Sequence, residues 1–342
     1  MGCRPGGLSG LLAVILFLAV SAWCFGSQAG AARPQQPLIP LEISMYAKAK
    51  FIVDFSTEDL RHAYPAELSN LQFEDDPARL ETLLKKVGEN VELFFRDFPN
   101  TASKELVRRE RLSPSGKVED SVTQSFYYSV QSDKEASTWI EGRTDSRGNL
   151  LRNDPMRGVS FLTAGFANHG ILFHSGHQVG SRFRYLGRDP SASNACVIAF
   201  SQRPEVGDFL GEFRASETGT AALILYQGLA WVDPETNQII RMRTDLLSPR
   251  PDVMLARETT EIWFHEVRFA TVTRSFWMPR EVLVNIEWND RHFRNRHRYS
   301  DYLVFSVESH DKIELPKTKK KQAFSLSPPE LQPRITRSPS IS

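Results

Sequence analysis

Glu281-Val-Leu-Val-Asn-Ile-Glu-Trp288 decides the fold class, because its strongest apolar residues recur at every second position. Val282, Val284, Ile286 and Trp288 share one parity, while Glu281, Leu283, Asn285 and Glu287 take the other. Successive side chains of a strand point to opposite faces, so this pattern describes a strand with one dry and one wet face, as antiparallel sheets have. The same period runs outward from it. Val122, Phe126, Tyr128 and Val130 alternate with Thr123, Ser125, Tyr127 and Ser129, and Phe293, Tyr299, Leu303, Phe305 and Val307 share a parity. Turn residues separate these runs at Ser113–Gly116, Asp145–Asn149, Asp233–Asn237 and Asn289-Asp290. No βαβ alternation occurs.

One segment has the other period. Leu80, Leu83, Leu84, Val87, Val91, Phe94, Phe95 and Phe98 recur at helical spacing behind Asp75 or Asp76 as a cap and Pro77 in the first turn. Pro99 and Asn100 stop it. So wide an apolar stripe must lie against something large. The residues therefore predict a mainly β, α+β chain in which an antiparallel sheet curls over one long amphipathic helix.

The ends read differently. Arg4, the apolar run Leu11–Val20 and the small residues Ser27, Ala29 and Ala31 have the order of an export signal at residues 1–31, cleaved after Ala29 or Ala31. An uncleaved anchor is the alternative, although the apolar run is short of the ~20 residues that span a bilayer. Trp23 before Cys24 argues against lipidation there. Residues 32–76 are expected to hold a Pro- and Gln-rich linker and a short helix, 77–315 the sheet domain with its leading helix, and 316–342 a disordered basic Pro/Ser-rich tail. No transmembrane span is expected after the signal is removed. A net charge of +1 argues against a general nucleic-acid binder. Of three cysteines, Cys3 and Cys24 lie in the signal segment. Cys196 alone remains, and no internal disulfide can form in the mature chain.

The runs Arg184-Tyr-Leu-Gly-Arg188, Cys196-Val-Ile-Ala-Phe200 and Gly228-Leu-Ala-Trp-Val-Asp233-Pro-Glu-Thr-Asn-Gln-Ile-Ile-Arg241 occur in that order. The succession resembles the lipoprotein-carrier superfamily of LolA-type periplasmic carriers and the amino-terminal domain of RseB-type stress regulators. Trp277-Met-Pro-Arg-Glu-Val-Leu-Val-Asn-Ile286 is similar to a strand that follows in many of its members. The resemblance covers about 180–310 of this chain. Over about 80–312 the chain is similar to a group of secreted bacterial proteins of that kind with no assigned activity. It implies an unclosed β half-barrel over helices, an apolar inner face able to hold acyl chains, and no catalytic residues. The helical region before Lys104 and the greater size depart from the pattern.

On this reading the ligand face is Val282, Val284, Ile286 and Trp288 with Phe126 and Tyr128. Arg294, Arg296 and Arg298 share a strand parity and could meet an anion or an acidic partner. The competing reading is a solvated outer face on which Glu281 and Glu287 pair with them. His169, His174 and His177 are the only histidine cluster with ligand-like spacing, without an HExxH pattern. They read first as loop residues. Ser175 lacks the flanking glycine of a nucleophile elbow, and Cys196 reads as a small buried hydrophobe. No metal and no cofactor is expected. The sequence thus points to a periplasmic or extracellular non-enzymatic binding protein that holds a lipid or another apolar ligand. An envelope interaction or sensor scaffold with a filled core is the alternative, and a hydrolase using the His169–His177 region is a third and weaker reading.

Overall fold

The computed structural model describes residues 13–16, 40–133, 138–145, 161–163, 166–206, 211–215, 221–270 and 272–305. The expected tail, the turn at 146–149 and most of the signal segment lie outside them. In chain order the strands are β1 Ala13–Leu16, β2 Gln72–Phe73, β3 Thr101–Leu112, β4 Val118–Asp133, β5 Thr138–Thr144, β6 Phe161–Thr163, β7 Ser181–Asp189 and β8 Ala195–Gln202. They continue with β9 Gly211–Ala215, β10 Ala221–Ile224, β11 Tyr226–Val232, β12 Ile239–Leu246, β13 Leu255–Arg268, β14 Ser275–Trp288 and β15 Arg291–Val304. The helices are α1 Pro40–Met45, α2 Thr57–Ala63 and α3 Pro77–Asp97.

Among the described residues, eleven strands form one sheet in the order β2-β7-β8-β11-β12-β13-β14-β15-β3-β4-β5, whose end strands do not pair with each other. Every pairing within it is antiparallel. The chain adopts the mainly β, antiparallel architecture expected from the two-residue period, and its sheet is unclosed, as the resemblance implies. Local chemistry sets the joints. Asn289 and Asp290 both take positive φ, 49° and 57°, the geometry that a two-residue hairpin needs to match strand twist. At Gly187, φ is +130° beside a register shift, and a Cβ there would meet the Gln72 carbonyl oxygen at 1.9 Å. No side chain fits that edge.

A second, four-stranded sheet has the order β10-β9-β1-β6. Its β1 consists of four residues of the apolar run expected to be an export signal, paired with β6 and β9.

The large sheet is not covered evenly. On the inner face, the first two thirds of α3 place Leu83, Val87 and Val91 against Tyr185, Cys196, Ile198, Phe200, Ala230 and Met242. Asp76 caps that helix by accepting from the Arg79 amide at 2.9 Å. On the opposite face of the same strands, Ile52, Val53, Leu60, Tyr64, Leu68 and Leu71 pack on Ala195, Val197, Ala199, Leu229 and Trp231. Residues 52–71 are thus a packed layer as well as a connection. Covered on both sides, β8 and β11 are buried at every position, so no polar alternation marks them.

Further along, β13, β14 and β15 keep one dry and one wet face. Their dry face joins a second inner cluster with Phe98, Phe213, Ile224, Phe269 and Phe276. The parity expected for β15 holds through Tyr299 and then fails. Asp301 takes φ 55° beside a register shift, and Leu303 is left exposed. One extra residue in a strand moves every later side chain to the other face.

Candidate functional site

Val282, Val284, Ile286 and Trp288 are all buried in the second inner cluster, together with Tyr128. Phe126 is buried as well but stands outside that cluster. The face therefore exists as a unit, and five of the six expected residues meet there. What covers it differs from the expectation of a single helical stripe. Only the end of α3 reaches it, where Phe94 and Phe98 set their rings 5.9 and 5.7 Å from Phe276. The rest of the stripe lies on the neighbouring cluster. The second sheet supplies more of the cover through Phe213, 6.3 Å from Trp288, with Ala222 and Ile224. The Trp288 indole donates to the Val253 carbonyl at 2.9 Å, which fixes the ring.

Two surface clefts lie elsewhere. One, about 180 Å³, is lined by Phe73, Glu74, Arg184 and Tyr185. The other, about 460 Å³, runs beside Glu81, Leu84, Glu89 and Gln178. Neither touches the expected ligand face, whose Val282 and Val284 are 0 % exposed.

The inner face is not uniformly apolar, and that part was missed from sequence. On β3 and β15, Glu105, Asn295, His297 and Tyr299 are buried. Glu105 Oε1 accepts from Tyr299 and His297 Nδ1, each at 2.8 Å, and from Arg143 Nη2 at 2.8 Å, while Oε2 accepts from Arg143 Nε at 2.5 Å. Burial pushes this carboxyl up, but the Arg143 guanidinium and the hydrogen bonds outweigh it and hold the group down at about 2. Burial also lowers His297, with Arg143 and Arg109 close by. We read His297 as a neutral imidazole whose Nδ1–H donates to an ionised Glu105. Tyr128 adds a hydroxyl to Glu141 at 2.6 Å. Glu105, Arg143, His297 and Tyr299 thus engage one another across β3, β5 and β15. It is a structural lock.

Three positions on the β12–β13 side behave differently. Thr244, Glu258 and Thr260 are buried, and Thr244 Oγ1, Thr260 Oγ1 and Glu258 Oε2 have no hydrogen-bond partner among the described residues. Glu258 Oε1 has the Tyr226 hydroxyl at 3.4 Å. Burial raises this carboxyl to about 8, opposed only by that weak bond. Within Arg257-Glu-Thr-Thr-Glu-Ile262, Glu258 and Thr260 look like a wet face, so alternation alone could not flag them.

The basic residues stand on the outer face, already matched. Arg294 Nε pairs with Glu110 at 2.6 Å, and Arg296 and Arg298 both reach Glu281, at 3.4 and 3.8 Å. Glu287 lies opposite His292 on β15, not one of these three arginines, and opposite Arg257 on β13. The histidines do not converge as a metal site. His174 and His177 have ring centroids 5.6 Å apart, and no group of three metal-ligating side chains occurs among the described residues. Cys196 is buried, as its strand position predicts, with Arg79 Nη2 at 3.4 Å from its sulfur. Among the described residues, no helix is long and apolar enough to cross a membrane.

No family model matches the chain, and no curated protein matches it. Two solved structures are similar to it. One is described as an outer membrane lipoprotein-sorting protein domain from Vibrio parahaemolyticus, with TM-score 0.37 and 8 % identity over 67 % of this chain and 95 % of that one. The other is a DUF1329 family protein from Desulfovibrio piger, with TM-score 0.28 and 10 % identity over 66 % and 92 %. At these distances function has to be argued from the residues.

Proposed function

We propose that the chain is an exported, non-enzymatic binding protein that holds an acyl chain or a similar apolar ligand against the inner face of β13, β14 and β15. The observation that supports this is the composition of the cover. Phe94 and Phe98 pack against Phe276, and Phe213 against Trp288, in one apolar cluster with Val282, Val284 and Ile286, and the strand that carries Phe213 belongs to a different sheet. Such a cover can lift without breaking the sheet. In this form the face is closed, so binding displaces aromatic side chains.

The zero exposure of Val282 and Val284 favours a second reading, an envelope scaffold whose core is simply filled. There the outer Arg294, Arg296 and Arg298 could serve an acidic partner, which must first compete with Glu110 and Glu281. Titration of delipidated protein with a fluorescent fatty acid separates the two. The binding reading expects saturation at micromolar concentration and loss of it in Val284→Trp with the fold retained. If the wild-type protein shows no saturable binding, the scaffold reading replaces it. In that case Val284→Trp only overpacks the core, at a cost of ~1–3 kcal/mol.

Export carries its own check. Intact-mass measurement on secreted protein should give a chain starting at Gly30 or Ala32, and a mass that retains residues 1–25 would make the segment an anchor. Cleavage at either point also removes β1, leaving β9 paired with β10.

A further inference from the structure

Thr244 stands directly opposite Thr260 across β12 and β13, and Thr260 in turn stands opposite Val284. Glu258, two residues before Thr260 on β13, is opposite Ile286. Residues paired across antiparallel strands project from the same face. The three polar side chains therefore share the face of Val282, Val284, Ile286 and Trp288. They are 1 %, 0 % and 0 % exposed in the order Thr244, Glu258 and Thr260. An oxygen of each has no hydrogen-bond partner among the described residues. Folded proteins nearly always satisfy buried polar atoms, so three orphans at adjoining positions call for a specific reason. No ion pair engages Glu258 among the described residues, and the polar side chain that approaches it is Tyr226.

We propose that Thr244, Glu258 and Thr260 are the polar anchor of the ligand face and receive the carbonyl end of a fatty acyl group, as the free acid or as an ester. This rests on the acyl-binding reading above and adds the ligand's orientation and head chemistry. A carbonyl oxygen accepts two hydrogen bonds, and two threonine hydroxyls with a protonated carboxyl supply donors for it. Glu258 keeps its proton at neutral pH, because burial raises it to about 8 and only the Tyr226 hydroxyl opposes this. The hydrocarbon chain then lies on the apolar residues of the same face. A cationic head would demand an ionised carboxylate, which the surroundings of Glu258 disfavour.

The test uses four probes of one chain length: oleic acid, methyl oleate, 1-octadecene and oleylamine. Each is measured by displacement of a fluorescent fatty acid from delipidated full-length protein. Wild type should prefer the acid or the ester to the hydrocarbon by about tenfold, the scale of one to two net hydrogen bonds. In Thr244→Val/Thr260→Val that preference should shrink about fivefold or more. The substitutions keep the side-chain shape and remove two orphan hydroxyls, so a melting temperature at or above wild type verifies the fold. Glu258→Gln, still a donor, should shrink the preference less. The acid-to-ester ratio tells a free fatty acid from an esterified lipid. An unchanged preference in both variants overturns the anchor while leaving acyl binding in place. Tightest binding of oleylamine overturns the carbonyl assignment in favour of an amine. If none of the four probes displaces the fluorophore, the acyl-binding reading itself fails.

Discussion

Glu105 and Glu258 are both fully buried on the same sheet, separated by β14 and β15, and their surroundings drive them in opposite directions. Around Glu105, an arginine, a histidine and a tyrosine converge on the two oxygens, and the carboxyl is held at about 2. Around Glu258, one tyrosine hydroxyl at 3.4 Å is the nearest help, and the carboxyl rises to about 8. Burial alone makes the same demand on both. Whether a buried acid stabilises the fold or waits for something else depends on which partners the neighbouring strands supply.

The largest expected effect comes from breaking the satisfied side. Glu105→Gln takes the paired carboxylate away from the buried Arg143 and should cost ~3–5 kcal/mol in chemical denaturation. The acid profile should change with it. The folded value of Glu105 lies below its ordinary 4.5, so its contribution is complete above about pH 4.5 and disappears as pH falls toward 2. Wild type should lose stability through that window, and the variant should lose much less.

Glu258→Gln should do the reverse. The folded chain keeps a proton that the unfolded chain releases, so wild-type stability declines as pH rises from about 4.5 to about 8 and then levels off. The variant, which cannot ionise, should match wild type near pH 4 and exceed it by about 2–4 kcal/mol at pH 8 to 9. Melting curves across that range that run parallel for the two proteins would show that Glu258 has a partner after all. The smallest effect belongs to the outer face. Arg298→Ala loosens a 3.8 Å pair on an exposed side chain and should move stability by less than about 0.5 kcal/mol.

This ordering also shows what the sequence could and could not say. The two-residue period in β14 was legible, because one of its faces meets solvent and the other a core. In β8 and β11 no alternation exists to read, since residues 52–71 cover the face that would otherwise be wet. The helix was legible from its stripe, but a stripe does not reveal that its two ends serve different clusters. Both buried acids were invisible for a simpler reason. Glu105 alternates with Lys104 and Leu106, and Glu258 sits beside Arg257, so each looks like a surface residue until the strands are in register. The pairing of Arg296 and Arg298 with Glu281 was predictable, because it needs only the hairpin at Asn289-Asp290.

The double covering of β8 and β11 has a kinetic side. Amide protons escape to solvent only when the strands around them open, and opening is hardest where both faces carry packed layers. Exchange with heavy water should therefore be slowest in β8 and β11. It should be fastest at β5, which among the described residues pairs with β4 alone and forms the far edge of the sheet. A molecule so graded can breathe at its β13–β15 side, where an entering chain would have to pass the aromatic cover, while its other half holds the register of the whole sheet.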